Sequence, residues 1–199
     1  MSVIDGNMVT TDPTPVINYR YPTWLHPYKA NAITRAVQDA LLFLVQRPLN
    51  IDLAVIFDID DTLLYSMNHG PIHPVRSLYQ YILTLVPTVT IFLITARNPT
   101  YRVKTERQLR VYGMDGWKEL IMVGNQPSIE EQRTYRQRYV RMLHPHRVVY
   151  NVDPDGKGER KALARQQIEQ QGYTIWLNIG DDPTDHLNGH YVHAIKLPE

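Results

Sequence analysis

The chain alternates short apolar runs with amphipathic helical patterns, and this alternation constrains its fold more than any other feature. Leu53–Phe57 is a continuous apolar run bounded by polar residues, which is typical of a strand buried on both faces. The later runs are Val89–Ile94, Leu120–Val123, Thr174–Ile179 and a weaker one, Tyr191–Leu197. Helical patterns separate them, at about 74–85, 99–112, 128–143 and 158–171. The alternation predicts an α/β fold, with a parallel five-stranded sheet covered by helices on both faces.

Two segments precede the first strand. Residues 1–28 are rich in proline and aromatic residues, and this composition predicts an extended N-terminal arm whose aromatic rings lie on the main body. From Tyr28 to Gln46 the apolar residues recur at intervals of three and four, which predicts an amphipathic helix. A chain of 199 residues suits one core, so we expect residues 29–199 to form a single domain.

The composition excludes several classes of function. The 21 Lys and Arg residues against 20 Asp and Glu give a net charge of +1, which excludes a generally basic nucleic-acid coat. Cysteine is absent, so disulfides and thiolate chemistry are excluded as well. The first residues carry Asp5 and Asp12 and lack the apolar centre of a signal peptide, and no apolar run approaches a membrane span. We therefore expect a cytoplasmic protein with no membrane partner.

Polar side chains follow three of the predicted strands at the points where they end. Carboxylates follow the first strand at Asp58, Asp60 and Asp61, and the fourth strand at Asp181, Asp182 and Asp185. The second strand is followed by Thr95 and Arg97, a hydroxyl and a guanidinium. Ligands of open parallel sheets bind beyond the carboxyl ends of the strands. The sequence thus predicts a functional site at this edge.

The acidic clusters have alternative explanations. A calcium-binding EF-hand loop is excluded, because its sixth position is Leu63 instead of Gly and its twelfth is His69 instead of Glu. A simple acidic turn or helix cap stays open, and Thr95 taken alone can be only a helix cap. Two acidic clusters without a matching excess of bases favour a hard divalent cation with oxygen ligands, most simply Mg²⁺.

Together, these motifs resemble the haloacid dehalogenase (HAD) superfamily of phosphotransferases. The family's DxDxT pattern is present at Asp58–Thr62, its hydroxyl residue at Thr95, its helical lysine at Lys161 and its GDDxxD pattern at Gly180–Asp185. The resemblance implies a HAD-like Rossmannoid fold in three layers. The connection from Thr62 to Thr95 is short, so we expect a small or absent cap, with the loop Met67–His73 over the pocket.

Within the superfamily, the chain is most similar to the class B acid phosphatases and the plant vegetative-storage-protein acid phosphatases. That likeness rests on Phe57–Leu64, Thr105–Ile121, Lys161–Arg165 and Gly172-Tyr173, and it covers about Ala30 to Gly189. The chain departs from the branch in three ways. It lacks a secretory leader, Asp182 replaces the usual Gln, and residues 126–156 form an insertion.

The chemistry of phosphate esters and the resemblance together imply roles for the site residues. Asp58 is the predicted nucleophile, which forms an aspartyl-phosphate. Asp60 is the predicted general acid and base, because residues i and i+2 of an extended backbone point the same way. Thr95 would donate a hydrogen bond to the phosphoryl group and Lys161 would supply a positive charge. Lys157 competes for that last role, and the spacing to Gly172-Tyr173 favours Lys161.

The resemblance also implies the ligands of Mg²⁺. Asp58 and Asp181 would provide carboxylates, and the backbone carbonyl of Asp60 would join them. Asp182 or Asp185 would be a further ligand or would orient the others. The expected function is a Mg²⁺-dependent phosphomonoesterase that acts on a small phosphorylated substrate, either a nucleotide or a metabolite.

Two alternatives stay open. The insertion interleaves arginines with aromatic residues over 133–147, a pattern that binds phosphates and stacks bases, although Arg-rich helices are more often solvated faces. This segment raises the alternative of a polynucleotide end phosphatase, with nucleic acid as a possible but not favoured partner. A non-catalytic storage or binding protein on the same fold is the second alternative, against which the presence of both Asp58 and Asp60 argues.

Overall fold

The structure is a computed structural model that describes residues 21–22, 24–66, 70–124, 153 and 156–199. Its helices are α1 (Pro27–Val45), α2 (His73–Leu83), α3 (Arg102–Val111) and α4 (Lys157–Gln170). Its strands are β1 (Leu53–Phe57), β2 (Val89–Thr95), β3 (Glu119–Met122), β4 (Thr174–Gly180) and β5 (His193–Lys196). Short 3₁₀ helices cover Pro99–Tyr101 and Pro183–Asp185.

The five strands form one parallel sheet in the order β3-β2-β1-β4-β5. The central strand β1 is buried along its whole length, as its continuous apolar sequence predicts. Its last residue, Phe57, lies opposite Leu93 of β2 and Ile179 of β4. This register brings the carboxyl ends of β1, β2 and β4 side by side, and it confirms the predicted α/β fold.

Helices cover both faces of the sheet. On one face, Leu53, Val55 and Phe57 pack into the larger core cluster, which also contains the apolar residues of α1 and α2. On the other face, Ala54 and Ile56 pack into a smaller cluster with residues of α4. The alternation of β1 side chains between two buried faces produces the three layers expected from the sequence.

Several predicted boundaries differ from those observed. The predicted helix 99–112 is split, because the Asn98 side chain accepts a hydrogen bond from the backbone of Thr100 and caps a separate 3₁₀ turn before α3. The predicted helix 128–143 lies outside the described residues. The final strand is shorter than expected, covering His193–Lys196.

The region above the sheet edge is small in the described part of the chain. Between Thr62 and Thr95, α2 is the one helix described, which agrees with a small or absent cap. The predicted pocket loop begins with Met67, Asn68 and His69, which lie outside the described residues. Its last residue, His73, is exposed at the start of α2. Most of the predicted N-terminal arm also lies outside, and Tyr21 packs against the core and shares a hydrogen bond with Thr34.

Candidate active site

The site lies at the carboxyl edge of the sheet, where three neighbouring strands end. Asp58 follows β1 directly, Thr95 is the last residue of β2, and Asp181 follows β4. The backbone N–H of Asp58 donates to the Ile179 carbonyl at 2.9 Å, so the pairing of β1 with β4 continues up to the carboxylate. These three residues therefore come together because of strand order and register.

Lys161 forms ion pairs with the carboxylates of Asp58 and Asp185. Its ammonium donates to Asp58 Oδ1 at 2.8 Å and also to Asp185 Oδ1. The Lys161 and Asp58 side chains are 4% and 9% exposed, respectively, so this ion pair is shielded from solvent. Lys161 is thus a buried member of the site, not a solvated lysine on a helix face.

Asp58, Asp181 and Asp185 form a compact cluster of oxygen donors. One carboxylate oxygen from each lies within 4.8 Å of the others. Among the described residues, Lys161 is the one cation that pairs with these carboxylates. When all three carboxylates are ionised, the cluster therefore keeps an excess of two negative charges. One divalent cation would balance that excess, and carboxylate oxygens are the ligands that Mg²⁺ prefers. The donor set therefore fits the predicted metal.

The electrostatics of the cluster reflect this excess. Burial, reinforced by the neighbouring Asp185, raises the pKa of Asp58 to about 7 even though Lys161 opposes the change. Burial and Asp185 likewise raise the pKa of Asp181 to about 6, against a hydrogen bond from the Thr62 hydroxyl. Burial alone would lower the pKa of Lys161, but Asp58 and Asp185 raise it above its ordinary value. Lys161 therefore stays charged, whereas Asp58 and Asp181 bind a proton more readily than an ordinary aspartate does.

Several contacts in the loop after β4 fix the position of Asp185. A Cβ atom on Gly180 would overlap the Asp185 carboxylate, so the absence of a side chain at this position gives the carboxylate its space. Asp182 and Asp185 form a reciprocal capping box around the 3₁₀ helix Pro183–Asp185. The Asp185 carbonyl accepts hydrogen bonds from Asn178 at 2.8 Å and from Arg165 at 2.7 Å.

Arg165 holds the rest of this loop. The side chain is 1% exposed, and besides Asp185 its guanidinium donates to the carbonyls of Leu187 and Gly189, the latter at 2.8 Å. Lys161 and Arg165 are one helical turn apart, so α4 presents one cation to the carboxylates and another to the backbone that carries Asp185.

Replacement of Arg165 by methionine is expected to lower the free energy of unfolding by about 3 kcal/mol, because buried carbonyls lose their donor. Urea unfolding of the variant measures this loss. The control is Arg107→Met, because Arg107 is exposed on α3 and its replacement should change stability by less than about 0.5 kcal/mol. Equal stability of the Arg165 variant and the wild type would show that the loop does not depend on this guanidinium.

The two candidate lysines occupy different places. Lys157 donates to Asp182 Oδ2 at 2.6 Å, and both side chains are partly exposed. Burial tends to raise the pKa of Asp182, but hydrogen bonds from Lys157 and Thr184 outweigh it and lower the pKa to about 2. The structure thus brings Lys161 to Asp58 and leaves Lys157 with Asp182, whose carboxylate lies outside the three-carboxylate cluster.

Asp60, in the loop after β1, is held by Arg97, which lies two residues after the end of β2. The guanidinium donates to both carboxylate oxygens, at 2.9 Å from Nε and 2.7 Å from the terminal nitrogen. Nearby, the Thr95 hydroxyl accepts a hydrogen bond from the Arg97 backbone N–H at 3.2 Å. The hydroxyl proton of Thr95 is therefore not used in that bond.

Several residues that shape the site have no role in the predictions from sequence. Thr62 binds Asp181, while Arg165 and Asn178 hold the Asp185 backbone. The buried Asp153 carboxylate accepts hydrogen bonds from the first backbone N–H groups of α4, at Gly158 and Glu159. The Lys161 to Arg165 spacing was a usable signal for Arg165, whereas nothing in the sequence marked Asp153. The Arg-rich segment 133–147 lies outside the described residues.

Comparisons with known proteins support the fold. No family model matches the chain, and no curated protein matches it. A solved structure of the class C acid phosphatase from Bacillus anthracis is similar at a TM-score of 0.50 and 14% identity, with 83% of this chain and 67% of that chain covered. A chain in a structure of the Pnkp1/Rnl/Hen1 RNA repair complex is similar at a TM-score of 0.45 and 14% identity, with 76% of this chain and 44% of that chain covered. The second likeness does not establish a shared fold.

Fold and site together define an α/β protein with a five-stranded parallel sheet and a buried lysine–carboxylate cluster at its carboxyl edge. The acid phosphatase neighbour is a class C enzyme, so the likeness to the class B branch stays a prediction. None of the helices in the described part of the chain combines the length and the apolar character needed to cross a membrane.

Proposed function

We propose that this protein is a Mg²⁺-dependent phosphomonoesterase that transfers the phosphoryl group to Asp58 and then to water. The observation that carries this proposal is the cluster of Asp58, Lys161, Asp181 and Asp185 at the carboxyl edge of the sheet. A buried carboxylate at this position, next to a cation and further oxygen donors, suits attack on an anionic ester. The fold likeness to an acid phosphatase is compatible with that chemistry.

In the first half of the reaction, an Asp58 carboxylate oxygen attacks phosphorus. The new bond joins that oxygen to phosphorus, and the bond from phosphorus to the ester oxygen breaks. Asp60 gives its proton to the departing alcohol oxygen. Lys161 and the hydroxyl of Thr95 stabilise the negative charge on the phosphoryl oxygens during transfer.

In the second half, water attacks the phosphorus of the aspartyl-phosphate. The bond from phosphorus to Asp58 breaks, and Asp60 takes the proton from the water molecule. Inorganic phosphate leaves, and both carboxyl groups return to their starting states. One pair of aspartates thus completes the cycle without a net change in the protein.

The metal would be held by Asp58, Asp181 and Asp185, with the backbone carbonyl of Asp60 as the further ligand that the resemblance implies. When bound, Mg²⁺ would reduce the repulsion between Asp58 and the anionic ester and polarise the phosphoryl oxygens. Asp182 would act from outside this set, because it caps the turn that carries Asp185 and pairs with Lys157.

Added Mg²⁺ is expected to raise the Tm more at about pH 8 than at about pH 5. The folded-state pKa values of Asp58 and Asp181, about 7 and about 6, lie above the value of about 4 in an unfolded chain. Their contribution to stability is therefore complete below about pH 4 and is lost as pH rises through 6 and 7. A divalent cation binds the ionised carboxylates, so it restores stability at pH 8 and competes with protons at pH 5.

Calorimetry with and without Mg²⁺ at both pH values measures this difference. Asp181→Asn should remove the Mg²⁺-dependent shift in Tm. Asp115→Asn should leave it intact, because Asp115 is exposed and lies outside the carboxylate cluster. A shift of equal size at both pH values, or a larger one at pH 5, would contradict the proposed ligands.

A phosphatase screen tests the function itself. It compares p-nitrophenyl phosphate, a mononucleotide, a small phosphorylated metabolite and a 3′-phosphorylated oligonucleotide, each with Mg²⁺ and with excess EDTA. We expect turnover of small esters that EDTA abolishes. A strong preference for the oligonucleotide that weakens with salt would favour the polynucleotide alternative instead. No turnover of any ester would favour the non-catalytic alternative.

A further inference from the structure

Asp60 is fixed by a two-point contact that the proposed reaction does not by itself require. Arg97 Nε donates to Asp60 Oδ2 at 2.9 Å, and a terminal nitrogen donates to Oδ1 at 2.7 Å. A parallel pair of hydrogen bonds of this kind fixes the plane of the carboxylate as well as its distance. The Asp60 side chain is still 40% exposed, so one edge of the carboxylate faces solvent.

Arg97 is in turn fixed by helix α3. Its other terminal nitrogen donates to the Thr105 hydroxyl at 3.2 Å and to Gln108 Oε1 at 3.0 Å. Thr105 is 1% exposed, and the Arg97 side chain is 18% exposed. Four of the five N–H groups of the guanidinium are thus engaged. This leaves Arg97 little freedom to turn away from Asp60 toward an arriving phosphate.

We propose that Arg97, Thr105 and Gln108 form a positioning unit that orients Asp60 for proton transfer. This inference rests on the proposed function, in which Asp60 exchanges a proton with the ester oxygen and then with water. The three residues act through Asp60 and do not themselves transfer the proton. Thr105 and Gln108 are three residues apart on α3, so both reach the same guanidinium nitrogen from one face of the helix.

The contact with Arg97 still allows Asp60 to exchange a proton. Each carboxylate oxygen has two lone pairs, and the Arg97 fork uses one on each oxygen. The remaining lone pairs are not used by Arg97, so they can take part in proton transfer to the leaving oxygen of an ester. Proton transfer is sensitive to such alignment, because a displacement of about 1 Å can cost about 100-fold in rate.

The dependence on leaving group separates positioning from general structural support. An alkyl phosphate releases a strongly basic alkoxide oxygen and needs a well-placed acid. p-Nitrophenyl phosphate releases a weakly basic phenolate and needs that acid much less. Loss of Asp60 alignment should therefore slow the alkyl ester more than the aryl ester, whereas damage to the fold should slow both alike.

The experiment measures kcat and KM with Mg²⁺ for glycerol phosphate and for p-nitrophenyl phosphate. The ratio kcat/KM reports the transfer to Asp58 without the later hydrolysis of the aspartyl-phosphate, a step that is the same for both esters. For Arg97→Lys we expect kcat/KM on the alkyl ester to fall about 100-fold and kcat/KM on the aryl ester to fall about tenfold or less. Gln108→Leu removes an acceptor of Arg97 and should show the same pattern with a smaller loss, about tenfold on the alkyl ester. Gln108→Glu keeps the acceptor and should recover most of what Gln108→Leu loses.

Arg107→Met is the matched control, because it changes an exposed residue on the same helix and should alter neither ester. Equal losses of kcat/KM on both esters in Arg97→Lys and Gln108→Leu would overturn the positioning unit. A faster alkyl ester reaction in either variant would overturn it too, since it would mean that Arg97 restrains Asp60. Absence of turnover in the wild type would instead overturn the proposed function, and the positioning unit with it.

Discussion

Asp58→Asn is expected to lower phosphate-ester hydrolysis by at least about 10⁴-fold while leaving the fold intact. The amide nitrogen and oxygen of asparagine cannot replace a carboxylate that attacks phosphorus, so the loss should appear mainly in kcat. Stability should be retained, because the substitution removes one negative charge from a cluster with an excess of them. Lys161 keeps Asp185 as its partner in the variant.

The matched control is Asp61→Asn, the same chemical change three residues along the chain. The Asp61 carboxylate accepts a hydrogen bond from the Ser66 backbone, and its φ of 55° is one that asparagine also tolerates. Asp61→Asn should therefore keep both the fold and the activity. If Asp58→Asn hydrolysed phosphate esters at the wild-type Mg²⁺-dependent rate, Asp58 would not be the nucleophile.

Lys161→Met is expected to have the second largest effect, on rate and stability together. Loss of the Lys161 ammonium leaves the buried carboxylates of Asp58 and Asp185 without their cation. Without Mg²⁺ and near pH 8, this should lower the free energy of unfolding by about 3 kcal/mol. The cost should shrink near pH 5, because protonation of Asp58 relieves the repulsion. The rate should fall about 100- to 1,000-fold, as expected when a group that stabilises the phosphoryl charge is removed.

Lys157→Met makes the same chemical change one turn earlier on α4. Lys157 pairs with the partly exposed Asp182, so its loss should cost less than about 1 kcal/mol and only a small part of the rate. Urea unfolding at both pH values and steady-state kinetics measure the two variants side by side. Greater loss of activity in Lys157→Met than in Lys161→Met would reverse the roles of the lysines.

Much of the fold could be predicted from the sequence because the sheet is buried on both faces. A strand with two buried faces has a continuous apolar sequence, and Leu53–Phe57 is observed with the predicted bounds. The ends of β2 and β4 extend further than predicted, to Thr95 and Gly180, because strand pairing depends on backbone hydrogen bonds and tolerates polar or small residues. The split of the predicted helix at Asn98 depends on a side-chain cap.

The carboxylates of the site could be anticipated because strand order fixes where strand ends meet. The placement of Asp58, Thr95 and Asp181 required only a parallel sheet, whereas Lys161 was predicted from the family resemblance and from its spacing to Gly172-Tyr173. The pairing of Asp60 with Arg97 could not be predicted, because it depends on how two side chains reach across neighbouring strand ends. The role of Arg165 could not be predicted either, although its spacing from Lys161 was a signal, because a fully buried arginine is rare.

The most direct test of the proposed reaction is a search for phosphate on Asp58 during turnover. The protein is mixed with Mg²⁺ and p-nitrophenyl phosphate, stopped in acid within one turnover, and mapped by mass spectrometry after digestion. We expect a phosphorylated peptide that contains Asp58 and is absent from Asp58→Asn. Turnover accompanied by phosphate on another residue, or by no phosphorylated peptide at any quenching time, would contradict the assignment of Asp58 as the nucleophile.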